Sequence, residues 1–262
     1  VRLLVTGAAG LLGSEVLRLA EHEVVPTYHT EPVPGGVRMD VRRRDEVDEV
    51  LRMVRPDGII HAAFRQSDWA TTADGPANIV AAARGARLVF VSSDVVFGGR
   101  PAPYDEHEPP CPVTPYGAAK AAAETAIRAI DPSAVIARTS LIVGYDGRSS
   151  HERFVHALAA GQPGSLFTAN VRCPVHVTDL ATALLELLTS DFSGTAHVAG
   201  PEAANRLELG RLIAIRDGLD ADALAESPGS PSEIRLDGER TQKLLSTRLR
   251  PVSEFLRPSR RP

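Results

Sequence analysis

Tyr116 and Lys120 stand four residues apart in Tyr116-Gly117-Ala118-Ala119-Lys120, and upstream an apolar run closes on Ser92-Ser93-Asp94. On a helix that spacing puts the phenol and the ammonium on one face. A nearby positive charge is worth up to about 4 kcal/mol at an effective dielectric near 20, enough to bring a phenol of pKa about 10 toward neutrality. Tyr116 is therefore expected to exchange a proton as the general acid of a carbonyl reduction, with Ser93 fixing the carbonyl oxygen beside it. The pair is a common one and gains weight from a second motif. Directly after the first apolar run stands Thr6-Gly7-Ala8-Ala9-Gly10-Leu11-Leu12-Gly13. Gly7 and Gly10 let the backbone approach a pyrophosphate, Leu11 and Leu12 open a helix whose first N–H groups are free to bind it, and Gly13 permits close packing of helix on strand. Together the two motifs point to a dinucleotide-dependent reductase.

The end of the second strand reads Thr27-Tyr28-His29-Thr30 and lacks the acid that would hold a ribose 2′-hydroxyl. NADP(H) is accordingly favoured over NAD(H), with His29 and Thr30 as contacts to a 2′-phosphate; an ordinary surface histidine is the alternative for His29. Asp40, followed by Val41, closes the third strand and is expected to accept from the adenine amino group, unless it only starts a turn.

These residues need a scaffold. Short β-branched runs alternate with alanine-rich stretches of helical length: Val1–Thr6 and Leu11–His22, Glu23–Thr27, Val37–Met39 and Asp45–Val54, Gly58–Ala63 and Ala70–Gly85, Leu88–Ser93 and Pro115–Ile130, then Ala134–Thr139. This rhythm predicts an α/β Rossmann fold, a doubly wound parallel sheet with helices on both faces. Prolines 101, 103, 109, 110, 112 and 115 exclude a helix between Gly98 and Pro115 and predict a loop over the strand ends. After Tyr145 the alternation weakens, with helices at Glu152–Ala160, Asp179–Leu188, Leu207–Asp217 and Glu239–Leu245 and a strand at Ala196–Ala199. The expected division is a dinucleotide-binding domain over 1–144, rejoined by 174–199, and a smaller substrate-binding lobe from 145–173 and 200–262.

Carried by the Thr6–Gly13 turn, Asp40, His61-Ala62-Ala63, Val91 to Gly99, Tyr116/Lys120, Arg138-Thr139-Ser140, Pro174 to Ala181 and His197 to Gly200, the chain resembles the extended short-chain dehydrogenases/reductases, and most closely the dTDP-4-dehydrorhamnose reductase family of nucleotide-sugar reductases. In that family the fifth strand ends in a hydroxyl and one Asp, whereas nucleotide-sugar 4,6-dehydratases carry an Asp-Glu pair. Here Val95 follows Asp94, so a dehydratase is disfavoured. The resemblance implies reduction of C4 of a nucleotide-bound 4-keto-6-deoxy sugar by NADPH or NADH, with Lys120 and Tyr116 also holding the nicotinamide ribose and Ala62 and Ala63 lining the cofactor cleft. It places Asp94 and Val95 at the substrate and has Arg172 grip the substrate's pyrophosphate bidentately, with a surface ion pair as the alternative. His176 is expected to be structural. The chain departs from the family where Thr72 replaces a helix Asn, with Asn78 further on, and where Val95 replaces an aromatic. Two other readings stay open: a non-catalytic regulatory subunit, as in methionine adenosyltransferase, or an epimerase or reductase acting on another carbonyl. The intact Ser93/Tyr116/Lys120 set argues against the first.

Composition bounds the partners. The 262 residues are 43% hydrophobic with a net charge of −4, which suits a globular protein and gives no global basic field for nucleic acid. The basic end, Arg248, Arg250, Arg257, Arg260 and Arg261, reads as a solvated tail. Cys111 and Cys173 make neither a disulfide framework nor a metal cluster, and no metal is expected. With no apolar run of membrane-spanning length, the reading is a cytoplasmic protein without a membrane partner. A homodimer is left open.

Overall fold

The computed structural model describes residues 1–258; of the basic end, Arg260 and Arg261 lie outside them. The apolar runs become strands β1 (Arg2–Thr6), β2 (Glu23–Tyr28), β3 (Val37–Arg38), β4 (Gly58–His61), β5 (Arg87–Ser93), β6 (Val135–Thr139) and, after Ile142–Val143 (β7), Leu166–Phe167 (β8), Asn170–Arg172 (β9) and Val175–His176 (β10), β11 (Gly194–His197). Seven of them form one sheet in the order β3-β2-β1-β4-β5-β6-β11, parallel throughout. Successive side chains point to opposite faces. Leu3 and Val5 therefore pack with Val16 of helix α1 (Leu11–Leu19), while Leu4 faces Val47 and Leu51 of α2 (Arg44–Val54), Ile79 of α3 (Gly75–Ala82) and Ile127 of α4 (Pro115–Ile130). Both faces are covered, which is why the strands carry no polar alternation. The winding direction reverses at β1, whose neighbours are β2 and β4, so the loops after β1 and β4 part and open a crevice at the carboxyl ends of the strands.

Two expected helices come out differently. The Ala70–Gly85 stretch is a π-helical turn, Ala70–Asp74, running into α3, with Gly75 N–H donating to Ala70 O. Pro76 has no N–H to give Thr72 O, so a regular ladder is interrupted there. Helix α1 stops at Leu19 because Ala20 is already extended, leaving three residues to reach β2.

Between β11 and β10 lies α6 (Val177–Thr189), whose Leu180 and Leu184 join the α1 face of the sheet. The remaining elements gather around a separate apolar cluster of Val155, Leu158, Leu207, Ile213 and Val252. They are α5 (Ser150–Ala159), β12 (Ala204–Asn205), α7 (Arg206–Asp217), β13 (Glu226–Ser227), β14 (Ser232–Glu233) and α9 (Val252–Phe255), while α8 (Glu239–Leu244) packs on β11, where Thr241 Oγ1 accepts from His197 N–H at 3.0 Å. Capping boxes, Ser149 with Glu152 and Asn205 with Glu208, start α5 and α7. Strand β9 sits between β12 and β14, β8 pairs with β13, and β7 with β10. The proline loop is stitched to this half: Tyr104 N–H donates to Arg235 O at 2.8 Å, Asp237 N–H returns to Tyr104 O at 2.8 Å, and the Tyr104 ring stacks 4.0 Å from Phe97. Among the described residues no helix is long and apolar enough to cross a membrane.

Candidate active site

The end of β5 and the start of α4 meet because of what stands on either side of Tyr116. Thr114 Oγ1 caps α4 by accepting from Gly117 N–H at 3.1 Å, and Pro115 takes the first helical position, where no N–H is needed. Gly117 lies against the Val95 carbonyl, so closely that no side chain fits between them. This brings Tyr116 to the Ser93 side of the strand end, close enough for the hydroxyl to pull the phenol's pKa down. Behind the pair, Glu124 of α4 accepts from Ser92 Oγ (2.6 Å) and from Arg138 Nε and Nη2 (3.0 and 2.9 Å), all three residues being buried. A bidentate pair of this kind keeps helix and strands in register.

Lys120 does not do what the spacing alone suggests. Its ammonium is buried, donates to Val91 O at 2.8 Å and lies 4.7 Å from the centre of the Phe90 ring. Burial holds it down to about 7, with Glu124 opposing. The phenol of Tyr116 is pushed up by burial and then by Asp94, with only Ser93 pulling it down. The expected lowering of Tyr116 by Lys120 is thus absent from this arrangement, because a buried ammonium needs an acceptor and the strand carbonyl is within reach.

The crevice between β1 and β4 contains a cleft of 310 Å³ lined by Gly7, Gly10, His29, Thr30, Asp40, Val41, Ala62 and Ala63. Gly7 is at φ +70°, and a Cβ there would sit 2.8 Å from Ala63 N, so only glycine makes this wall. Thr6 Oγ1 accepts from Ala63 N–H at 3.1 Å and shares a 2.6 Å hydrogen bond with His61 Nδ1, which holds the wall in place. With Gly10 at the cap, no side chain takes the first-turn N–H groups of α1, as a pyrophosphate requires. A dinucleotide fits this cradle. Leu11, Leu12 and Gly13 are not on the cleft wall: Leu12 is in the core, and Gly13 backs onto the Gly7 carbonyl. At the adenosine end Asp40 is already claimed, by Arg42 Nε and Nη2 at 2.9 and 2.7 Å, which lower it to about 2, and by His29 Nε2 at 3.3 Å. Arg42, Phe64 and Arg65 also line the cleft and were missed in the sequence. Thr72 is buried and donates to Arg65 O (2.8 Å), pinning the loop after β4, and Asn78 donates to Val41 O (3.0 Å).

Two substrate expectations change. Asp94 is 2% exposed; its carboxylate accepts from Ser140 Oγ (2.7 Å) and Ser93 Oγ (3.2 Å) and lies 3.5 Å from Arg172 Nε. It is a buried node behind Ser93, its pKa pushed up by burial against the pull of Arg172. Arg172 is likewise buried and gives its other N–H groups to Val171 O, Ser232 O and Ser232 Oγ, so it has no free fork for a pyrophosphate, nor is it on the surface. Val95 is half-buried beside Gly117. Another guanidinium, Arg206 at the start of α7, meets neutral side chains, Asn170 and His151. It lines a second cavity of 460 Å³ together with Ser150, His151, Phe154, Phe167 and Asn170, and no carboxylate among the described residues lies within 4.0 Å of it. A cation at a helix N-terminus is against the dipole, and that was the sequence signal for it. His176 stacks on Tyr145 and caps α6, a structural position. Among the described residues no group of three or more His, Cys, Asp or Glu could hold a metal ion.

The family model described as RmlD substrate binding domain matches residues 1–262. A Haloferax volcanii protein, probable low-salt glycan biosynthesis reductase Agl14, is 33% identical over 247 residues, covering 85% of this chain and 82% of its own. Methionine adenosyltransferase 2 subunit beta of Pongo abelii is 29% identical, over 88% of this chain and 76% of its own. A crystal structure from Sulfolobus tokodaii, described as a hypothetical dTDP-4-dehydrorhamnose reductase, superposes with a TM-score of 0.85 at 30% identity, covering 95% of this chain and 96% of its own. The chain belongs to the RmlD substrate binding domain family and is an NAD(P)-dependent oxidoreductase of the short-chain dehydrogenase/reductase type.

Proposed function

We propose that the protein reduces the C4 carbonyl of a nucleotide-linked 4-keto-6-deoxy sugar, with NADP(H) preferred to NAD(H). The observation that carries this reading is the placement of the half-buried Tyr116 phenol and the Ser93 hydroxyl at the strand end, beside the dinucleotide cleft. A phenol pushed up by its surroundings keeps its proton, which is the state an acid needs for reduction. Ser93 donates to the carbonyl oxygen and aligns it with the phenol, and Tyr116 then delivers its proton there as the oxygen gains charge. When bound, the dinucleotide supplies the hydride. Gly7, Gly10, Ala62 and Ala63 would hold it, with Lys120 and Tyr116 at its nicotinamide ribose. The absence of an acid at the end of β2, with His29, Thr30 and Arg42 on the cleft wall there, supports the NADP(H) preference.

The sugar nucleotide is assigned to the second cavity, where Arg206 meets the diphosphate and Phe154 and Phe167 offer apolar surface to the rest of the nucleotide. The substrate assigned to the Sulfolobus tokodaii neighbour in its description is of this class. The test is loss of reduced-nicotinamide absorbance, with NADPH and NADH in parallel, on adding nucleotide-linked 4-keto-6-deoxy sugars. Stoichiometric consumption, faster with NADPH, is expected. An unchanged absorbance with every such sugar, from protein that binds the cofactor tightly, would refute the substrate class; a product formed without net consumption would mark an epimerase.

A further inference from the structure

Arg206 and His151 meet in the second cavity in an arrangement that two cations could not adopt. Arg206 Nη1 donates to His151 Nδ1 across 3.3 Å, and its Nε donates to Asn170 Oδ1 across 3.2 Å. A guanidinium has only donors, so Nδ1 must accept; the imidazole is neutral and carries its hydrogen on Nε2. That leaves Nε2–H as a donor for whatever enters the cavity that His151 lines. Burial first, and Arg206 second, hold His151 down to about 4, with Glu152 opposing. The surrounding charges do not relieve this. Glu152, on the same helix, is spent on Arg216 of α7 at 2.6 Å and on Ser149 N–H. His156 of α5 pairs with Asp217 at 2.7 Å, and at Arg206 the positive field of Arg172 of β9 outweighs the opposing charge of Asp94. Ahead of any ligand, the pocket is biased toward an anion.

We propose that His151 is a ligand of the substrate's diphosphate and takes up a proton as that anion binds; this rests on the assignment of the second cavity to the nucleoside diphosphate. Phosphate oxygens are stronger acceptors for Arg206 than an imidazole nitrogen, so the guanidinium turns to them and frees Nδ1. With negative charge now adjacent, the freed nitrogen binds a proton from solvent, and both ring nitrogens become donors. Affinity should then rise by up to about tenfold for each pH unit of fall between the bound and free pKa values.

The probe is dTDP-glucose, whose diesterified diphosphate keeps its charge over the range used. Its binding to the full chain is measured by calorimetry at about pH 6 in two buffers of different ionisation enthalpy, with wild type and with His151→Gln, which keeps a side-chain donor. Wild type is expected to take up most of one proton per site. His151→Gln, with an unchanged circular dichroism spectrum, should bind with no uptake and with a Kd nearly flat in pH. Absence of uptake by wild type, or equal uptake by the variant, overturns the role of His151 and leaves the cavity assignment standing. Failure of dTDP-glucose to bind wild type overturns the cavity assignment and the proposal with it.

Discussion

Replacing Gly117 by alanine tests how Tyr116 is held. An ideal Cβ at this position would fall 2.1 Å from Val95 O, a contact that must open to at least 3.0 Å. Neither side can absorb that alone: Val95 belongs to a tight turn anchored by Asp94, and the same added Cβ would also stand only 3.1 Å from Pro112 Cβ and Thr114 Oγ1. The start of α4 therefore moves from the strand end by about 1 Å, and Tyr116 moves with it. A misplacement of that size costs roughly 100-fold in rate, or about 2.7 kcal/mol of barrier. Stability should change far less, because overpacking by about 1–3 kcal/mol is opposed by the roughly 1 kcal/mol that alanine gains over glycine in a helix. The assay is steady-state consumption of reduced cofactor, alongside cofactor affinity by fluorescence and a thermal melt. The expected pattern is a kcat about 100-fold lower, cofactor affinity within a few-fold and a Tm shifted by only a few degrees. A kcat within twofold of wild type, in a folded variant, would refute the claim that this contact sets the position of the acid.

Tyr116→Phe should cut turnover by at least about 100-fold while leaving cofactor affinity nearly unchanged; normal turnover would remove Tyr116 as the acid. Glu124→Gln takes the counter-charge from a guanidinium with no exposure and should destabilise by about 3 kcal/mol or more in urea unfolding; a loss under about 1 kcal/mol would show that Arg138 is satisfied otherwise. Lys120 titrates near 7 when folded and near its ordinary value when unfolded, so the unfolded chain binds more protons between the two. Stability should therefore rise with pH from about 7 to about 10 and be lost as pH falls through the lower value. Lys120→Met should flatten that slope in denaturant titrations, and an identical slope would assign it to other groups.

How far the site was legible depended on whether its signal was local. The Gly7-to-Gly13 turn was readable because strand, turn and helix are contiguous, and Ser93 and Tyr116 were readable because each sits at the end of an element with its own start and stop signals. The direction in which Lys120 reaches was not, since a helix spacing fixes where a side chain begins, and the acceptor it finds is a carbonyl 29 residues away. The burial of Arg172 was illegible for a similar reason: that it lies against Asp94 is decided by β9 lying between β12 and β14, pairings among strands of two or three residues that carry almost no sequence pattern. The π-helical turn at Ala70–Asp74 did leave a mark, Pro76, which reads as an interruption once its missing N–H is counted.

Strand β6 is flanked in the finished sheet by β5, made earlier, and by β11, whose four residues come 55 positions after the end of β6. All five residues of β6 are buried. During synthesis, then, the α5 segment that belongs to the other half emerges while one edge of the dinucleotide-binding sheet is still unpaired and apolar, an edge that invites pairing with another chain. A nascent chain arrested before Gly194 should therefore aggregate or recruit a chaperone, whereas one released past His197 should not.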